Sequence, residues 1–320
     1  MPLRIVFFGN SQSTFSNRFC QAFAQAPCQI AGVVDVPPVQ RTSTYSQTVT
    51  GAPDFVEWAR RAGVPAWEPA SPDLPAVVAA LRRLEPDMFA AAGYMSRFRA
   101  ESLSVPRLLT VNFHASLLPA YRGEHPVFWA LRNGERWSGL TIHVVDAGLD
   151  TGDILYQVKV RTRRQDTVAS LYDRIVERGM ELVPRLVHDA EQGRLRPRRQ
   201  PEQGASYYSA VHEQDFRLDW HMPAERLRRM IQATPGRCFS ELGGQRWYFL
   251  DARAVSGPEP AAPGTLLEIG RTGICVRAGR GALRLRRVRW AEAAEMPAPQ
   301  LCRELNLGPG TVFSGTTRLS

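Results

Sequence analysis

The chain has almost no lysine: of its 40 basic residues only Lys159 is one. Cysteine is sparse too, at Cys20, Cys28, Cys238, Cys275 and Cys302, an odd number with no C-x-x-C spacing. That pattern excludes a disulfide framework and a zinc ribbon and leaves free thiols packed in an interior. There is no long apolar run. Residues 3–8 are the first hydrophobic stretch, far too short to span a bilayer, and no basic leader or cleavage signal surrounds them. A cytoplasmic protein without membrane contact is the expectation. Gly9 lacks a G-x-G-x-x-G continuation and no Walker sequence occurs, so a glycine-loop nucleotide site is excluded. Internal repeats are absent.

What is present is ordinary in bulk. With 320 residues, 44% hydrophobic and 22% charged, the chain suits a globular protein of two domains. A net charge of +9 would attract a polyanion such as tRNA. Arginine travels with many Ala, Pro and Gly residues, a pattern that gene composition can produce, so charge alone leaves nucleic-acid binding open.

Periodicity predicts an α/β fold with a doubly wound, mostly parallel sheet. Residues 3–8 read as a buried strand, and Phe15, Phe19 and Phe23 recur as a helical stripe. Residues 30–35 supply a second strand, Asp54 with Glu57 a capping box for a helix through Ala62, and a further helical run leads to Leu84. Short apolar runs at 88–92, 139–145 and 154–160 read as strands, 125–133 as a helix stopped by Gly134, and 167–192 as one long helix. Such alternation puts chemistry at the carboxyl ends of the strands. The Arg- and Pro-bearing segment 193–206 reads as a linker between a catalytic domain, 1–192, and a second domain, 207–320. In the latter, a helix at 224–233 and strands at 246–255, 265–269, 273–277 and 282–290 predict a small, OB-like β-barrel. The Ser/Thr-rich loop 41–50 reads as flexible.

Two clusters carry the chemistry. Asn112-Phe113-His114 is followed by Ala115-Ser116-Leu117-Leu118-Pro119 and then Arg122-Gly123. In an extended segment Asn112 and His114 point the same way while Phe113 packs opposite, a geometry suited to an oxyanion. The second cluster runs from Asp146 to Asp153, with Gly148, Leu149, Asp150, Thr151 and Gly152 between two strand-like runs. Glycines permit the sharp backbone and carboxylates orient or deprotonate. Asx turns between strands are the competing use of the same residues. Ser116 lacks a G-x-S-x-G elbow, which argues against a serine hydrolase, and His114, His125 and His143 match no metal-ligand spacing. His143, within a strand, reads as a satisfied strand histidine.

With N-F-H-A-S-L-L-P, a nearby R-G and G-L-D-T-G-D-I-L-Y in order, the chain resembles the folate-dependent formyltransferases, and in particular the branch that formylates methionyl-tRNA. Leu218-Asp219-Trp220 and Pro263-Gly264-Thr265 extend the resemblance into the second domain. It implies transfer of a formyl group from 10-formyltetrahydrofolate to a primary amine without a metal. Asn112 and His114 would stabilise the oxyanion of the tetrahedral intermediate, and Asp150 would orient His114 and help the amine lose its proton. Gly93, Tyr94, Met95, Asp146, Gly148 and Leu149 would hold the folate, with Phe98 near its apolar rim. Ser116, Arg122, Gly123, Glu124 and His125 would lie on the acceptor side, and the basic second domain would contact an initiator tRNA.

Some features depart from that branch. The loop after the second strand runs from Pro37-Pro38-Val39-Gln40-Arg41 into uncharged Ser and Thr, where the tRNA enzymes carry basic residues. Glu124-His125-Pro126 stands where they carry small ones, and Thr234-Pro235-Gly236 is short and lacks tryptophan. These features suit a small amine, such as an amino sugar or hydroxyornithine. Hydrolysis of the folate donor would use the same core.

Overall fold

The computed structural model describes residues 2–37, 54–257, 261–290 and 294–314. The expected flexible loop 41–50 lies outside the described residues, as does all but Pro37 of the Pro37–Arg41 stretch. The chain packs as two compact units: one of residues 1–127, 137–161 and 172–210, the other of 128–136, 162–171 and 211–320.

The first unit opens with β1 (Leu3–Gly9), α1 (Thr14–Gln25) and β2 (Cys28–Asp35). Then come α2 (Phe55–Arg61), β3 (Ala66–Trp67), α3 (Pro75–Arg83), β4 (Met88–Ala92), α4 (Ala100–Leu103) and β5 (Leu109–His114). Asp54 caps α2 by accepting from Val56 N and Glu57 N at 2.7 and 3.2 Å, a contact worth ~1 kcal/mol, while Glu57 pairs with Arg61. After the two-residue β6 (Arg122–Gly123) and α5 (Pro126–Asn133), which from Phe128 on belongs to the second unit, come β7 (Trp137–Val144) and β8 (Ile154–Arg161). The expected long helix is instead two, α6 (Val168–Met180) and α7 (Val183–Glu191). Pro184 explains the break, since proline lacks the N–H a helix interior needs but fits a helix's first turn. The short β9 (Tyr207–Tyr208) pairs with β6.

The main sheet has the order β3-β2-β1-β4-β5-β7-β8, parallel as far as β5 and antiparallel beyond it. Helices on both faces explain why β1 and β4 read as unbroken apolar runs rather than as alternations. On one face, the rings of Phe19 and Phe23 from α1 lie 4.5 and 5.8 Å from Phe113, which is 2% exposed. That packing turns Asn112 and His114 to the opposite face. There Phe8, Phe89 and Ala91 form a cluster with Tyr94 and Phe98 against it, and Ala91 sits directly beside Asn112 in the ladder.

The second unit carries α8 (Ala224–Ala233), β10 (Phe239–Leu242), β11 (Gln245–Val255), β12 (Leu266–Gly270), β13 (Gly273–Arg277), β14 (Ala282–Trp290), β15 (Met296–Pro297) and α9 (Ala298–Glu304). Its antiparallel sheet runs β10-β11-β14-β13-β12. Bridges from Val312 to Thr265 and from Ser314 to Glu241 join the two edges and close the ring, as the expected barrel requires. Trp220, Trp247, Phe249 and Phe313 fill its interior. β10, β15 and α9 are additions to the elements expected from sequence.

Candidate active site

Asn112 and His114 end β5, where β7 pairs antiparallel with Asn112 opposite His143 and His114 opposite Thr141. Residues directly opposite share a face, so Asn112, His114 and His143 project together. The β7–β8 loop then brings Asp150 among them. Its Oδ1 lies 3.4 Å from Asn112 Nδ2 and 3.4 Å from His143 Nε2; its Oδ2 lies 3.6 Å from His114 Nδ1 and accepts the Gly123 N–H at 2.8 Å. Asp150, distant in sequence from Asn112 and His114, thus converges with them.

Local backbone makes this convergence specific. Asp150 itself has φ 54°, in the left-handed region that costs a non-glycine residue of order 1–3 kcal/mol unless its surroundings hold it. Gly152 leaves no room for a side chain: a Cβ there would lie 1.8 Å from Val144 O. Gly123 combines φ 96° with a would-be Cβ 2.2 Å from Tyr208 O.

Hydrogen bonds to carbonyls fix both imidazoles. A carbonyl only accepts, so His114 donates from Nε2 to Tyr121 O at 2.7 Å, and His143 donates from Nδ1 to Val144 O at 2.8 Å. His143 Nε2 is then an acceptor and takes the Asn112 amide at 3.2 Å. His143 was expected only as a satisfied strand histidine; it also orients Asn112. The one signal for it in the sequence is the pairing of T-I-H with N-F-H across two strands, which no local pattern reveals.

Burial lowers the pKa of His114, and the Asp150 carboxylate and Tyr121 carbonyl only partly oppose it. For Asp150, burial works to raise the pKa, but His114, His143 and the Gly123 N–H outweigh it and hold the carboxyl well below the usual range. Both native values lie below the unfolded ones, so the unfolded chain binds more protons and stability rises with pH. His114's contribution is complete above the ordinary histidine value of 6.5 and is lost as pH falls below it; Asp150's is complete above 3.8 and is lost at lower pH. The urea midpoint is expected to drop between pH 7.5 and 5.5, and by less in His114→Asn. An equal drop in the two proteins would contradict a buried neutral His114.

The other expected site residues divide by environment. Gly93 (φ 69°) and Tyr94 follow β4, next to β5, and Met95 and Leu149 are 48% and 46% exposed, unusual for large apolar side chains. Asp146 Oδ1 accepts from Gly148 N and Thr151 Oγ1 at 3.1 and 2.7 Å, shaping the loop that carries Asp150. Ser116, 2% exposed, donates to Ala120 O at 2.7 Å within the turn. Arg122 is 2% exposed, its guanidinium on Gln200 Oε1 and the Tyr207 hydroxyl. Glu124 is exposed and His125 half-buried at φ 51°. No group of three or more potential metal ligands occurs among the described residues. Nor is any helix among them long and apolar enough to cross a membrane. A separate cavity of about 490 Å³, lined by Asp73, Pro75, Val78, Ala79, Arg82 and Glu101, contains none of these residues.

Comparison with known proteins shows the family. Residues 3–187 match the family model described as formyl transferase, and residues 210–306 that of the formyl transferase C-terminal domain. A methionyl-tRNA formyltransferase of Synechococcus sp. (strain JA-3-3Ab) is 34% identical over 319 residues, covering 97% of this chain and 98% of the relative. Among solved structures, WlaRD, a sugar 3N-formyl transferase, superposes with a TM-score of 0.64 at 14% identity, over 92% of this chain and 100% of its own. HypX from Aquifex aeolicus in complex with tetrahydrofolic acid gives 0.58 at 20% identity, over 96% of this chain; the chain spans about half of HypX, 48% of its length. At these identities the two structures speak to the fold alone. A paired match over both domains, a relative alike along nearly the whole chain and a site of converging amide, imidazole and carboxylate have one conclusion: the chain is a member of the formyl transferase family and a formyltransferase enzyme.

Proposed function

We propose that the chain transfers the formyl group of 10-formyltetrahydrofolate to the amino group of methionyl-tRNA, with Asn112, His114 and Asp150 as its catalytic groups. The convergence of those three side chains on one face of β5 carries the chemistry. The tRNA acceptor is supported by the relatives, alike over both domains, and by the charge of +9. In this reading the first unit performs catalysis and the second recognises the acceptor. The five free cysteines suit a reducing, cytoplasmic setting.

The exposed Met95 and Leu149 and the half-buried rings of Tyr94 and Phe98 fit an aromatic, polar-edged ring system such as a pterin, with Asp146 shaping the loop that carries Leu149. The donor supplies an electrophilic carbonyl carbon on a nitrogen leaving group. The Asn112 N–H that makes the long 3.4 Å contact with Asp150 exchanges it for the oxygen that gains negative charge. His114 is neutral at rest, and its Nδ1, 3.6 Å from the carboxylate, can take a proton as charge develops. That proton comes from the attacking amine; Asp150 stays ionised, stabilises the resulting imidazolium and so helps the amine lose it, and the imidazolium returns the proton to the donor nitrogen as the C–N bond breaks.

A second reading, formylation of a small amine, is favoured by the exposed carboxylate of Glu124 beside Gly123, which would attract a cationic amine. Labelled 10-formyltetrahydrofolate tests both, with methionyl initiator tRNA, small amines and no acceptor in parallel. Label in tRNA is the expected result. Label only in the small amines would establish the second reading, and formate alone would make the chain a hydrolase.

A further inference from the structure

Residues 198–208 have no helix and only the two-residue β9, yet hydrogen bonds tie this strap to the two segments that hold the catalytic side chains in place, Tyr121–Glu124 and the loop of Asp150. Arg198 exchanges both backbone hydrogen bonds with Ile154, at 2.7 and 2.9 Å, where the Asp150 loop ends. Ser206 Oγ accepts from Tyr121 N at 2.9 Å, and Ser206 O accepts from Arg122 N at 2.8 Å. Tyr208 O accepts from Glu124 N at 3.0 Å. Tyr121 is the residue whose carbonyl holds His114, and Gly123, between Arg122 and Glu124, holds Asp150.

Gln200 stands at the centre of the strap, 4% exposed. Its Oε1 accepts from Arg122 Nε and Nη2 at 3.2 and 2.9 Å, and its Nε2 donates to Asp150 O at 2.8 Å and Gly152 O at 2.6 Å. Both amide hydrogens and both acceptor lone pairs are used, and the opposite amide orientation would set donor against donor and acceptor against acceptor. Arg122 Nη1 in turn donates to the Tyr207 hydroxyl at 2.6 Å. The two carbonyls that Gln200 grips flank the turn in which Asp150 adopts its left-handed backbone.

We propose that Gln200 is a positioning residue for formyl transfer: by clasping the Asp150 and Gly152 carbonyls to the buried Arg122, it keeps the Asp150 carboxylate aimed at His114, Asn112 and Gly123. This rests on the assignment of Asp150 as a catalytic group. The clasp requires a carboxamide, because one end must accept from a guanidinium while the other donates to two carbonyls. A glutamate at 200 keeps the bond to Arg122, with added charge, but sets an oxygen against two carbonyl oxygens. It therefore preserves the anchor and releases the loop.

The test is steady-state formyl transfer by the full chain carrying Gln200→Glu, with Gln200→Ala as a second variant and Asp150→Asn alongside. In Gln200→Glu, kcat is expected to fall about 10- to 100-fold through misplacement of Asp150, with KM for donor and acceptor within about threefold. The acid limb of the kcat–pH profile should also move to higher pH, because a carboxylate that loses its partners protonates more easily. With rates normalised to the folded fraction at each pH, plain destabilisation does not move that limb. If Gln200→Ala does not fold, Gln200→Glu alone decides. A kcat within twofold of the parent and an unmoved limb in Gln200→Glu would overturn the clasp, whereas full activity in Asp150→Asn would overturn the role of Asp150 instead.

Discussion

Alanine at position 112 is expected to lower kcat about 10²- to 10³-fold, the usual cost of removing one preorganised oxyanion donor. The loss should fall on the chemical step. Asn112 sits on β5 with its backbone paired to both β4 and β7, so truncation leaves the strand in place. Its amide bonds His143 and Asp150 at 3.2 and 3.4 Å, contacts whose removal costs of order 1 kcal/mol in stability. KM for the folate donor should stay within about threefold, because an interaction formed mainly in the transition state changes kcat and kcat/KM together. Single-turnover transfer with saturating donor reads the step directly. A rate within threefold of the parent would remove Asn112 from the catalytic set, and a large rise in KM at unchanged kcat would make it a binding residue.

The largest expected effect on stability is in the second unit, where Trp220→Ala should cost about 3–5 kcal/mol. Trp220 is fully buried, with the rings of Phe249 and Phe313 at 6.0 and 5.9 Å, and its indole N–H donates to Ser240 Oγ at 3.0 Å. Alanine there removes a large apolar volume and deprives a buried hydroxyl of its donor, two penalties that add. Denaturant unfolding of the full chain should show a transition shifted to lower denaturant. Trp220→Phe, which keeps most of the volume and loses the hydrogen bond, should recover more than half of the cost. If phenylalanine were as damaging as alanine, the bond to Ser240 rather than the packing would hold the barrel core.

Much of this was legible in the residues. The apolar runs of β1 and β4, the Phe15, Phe19 and Phe23 stripe of α1 and the end of α8 all follow from local patterns, and the two motif clusters name Asn112, His114 and Asp150. What was hidden depends on long-range contact. β6 and β9 are two residues each, and they pair across more than eighty residues. Gln200 lies among arginines and prolines with no hydrophobic period, so the stretch expected to be a linker, 193–206, gave no hint that it lies inside the first unit. Arg122 was expected on the acceptor side from the family resemblance; only the fold reveals that Gln200 and Tyr207 occupy its guanidinium. Pro184 was visible, and its meaning as a helix start rather than a tolerated interruption was settled by packing.

The way the barrel ring closes has a bearing on its birth. Val312 and Ser314, which bridge the edges at Thr265 and Glu241, are synthesised after every strand of the ring they complete. While they are still in the exit tunnel of a ribosome, β12 and the part of β10 beyond Phe239 present backbone groups without these partners, the kind of surface on which nascent chains join one another. The first unit is not exposed in this way, since the strands of its main sheet have all emerged by then. A stalled or prematurely terminated translation product would therefore combine a folded catalytic half with an open, adhesive sheet, a natural client for chaperones and for the proteases that clear unfinished proteins.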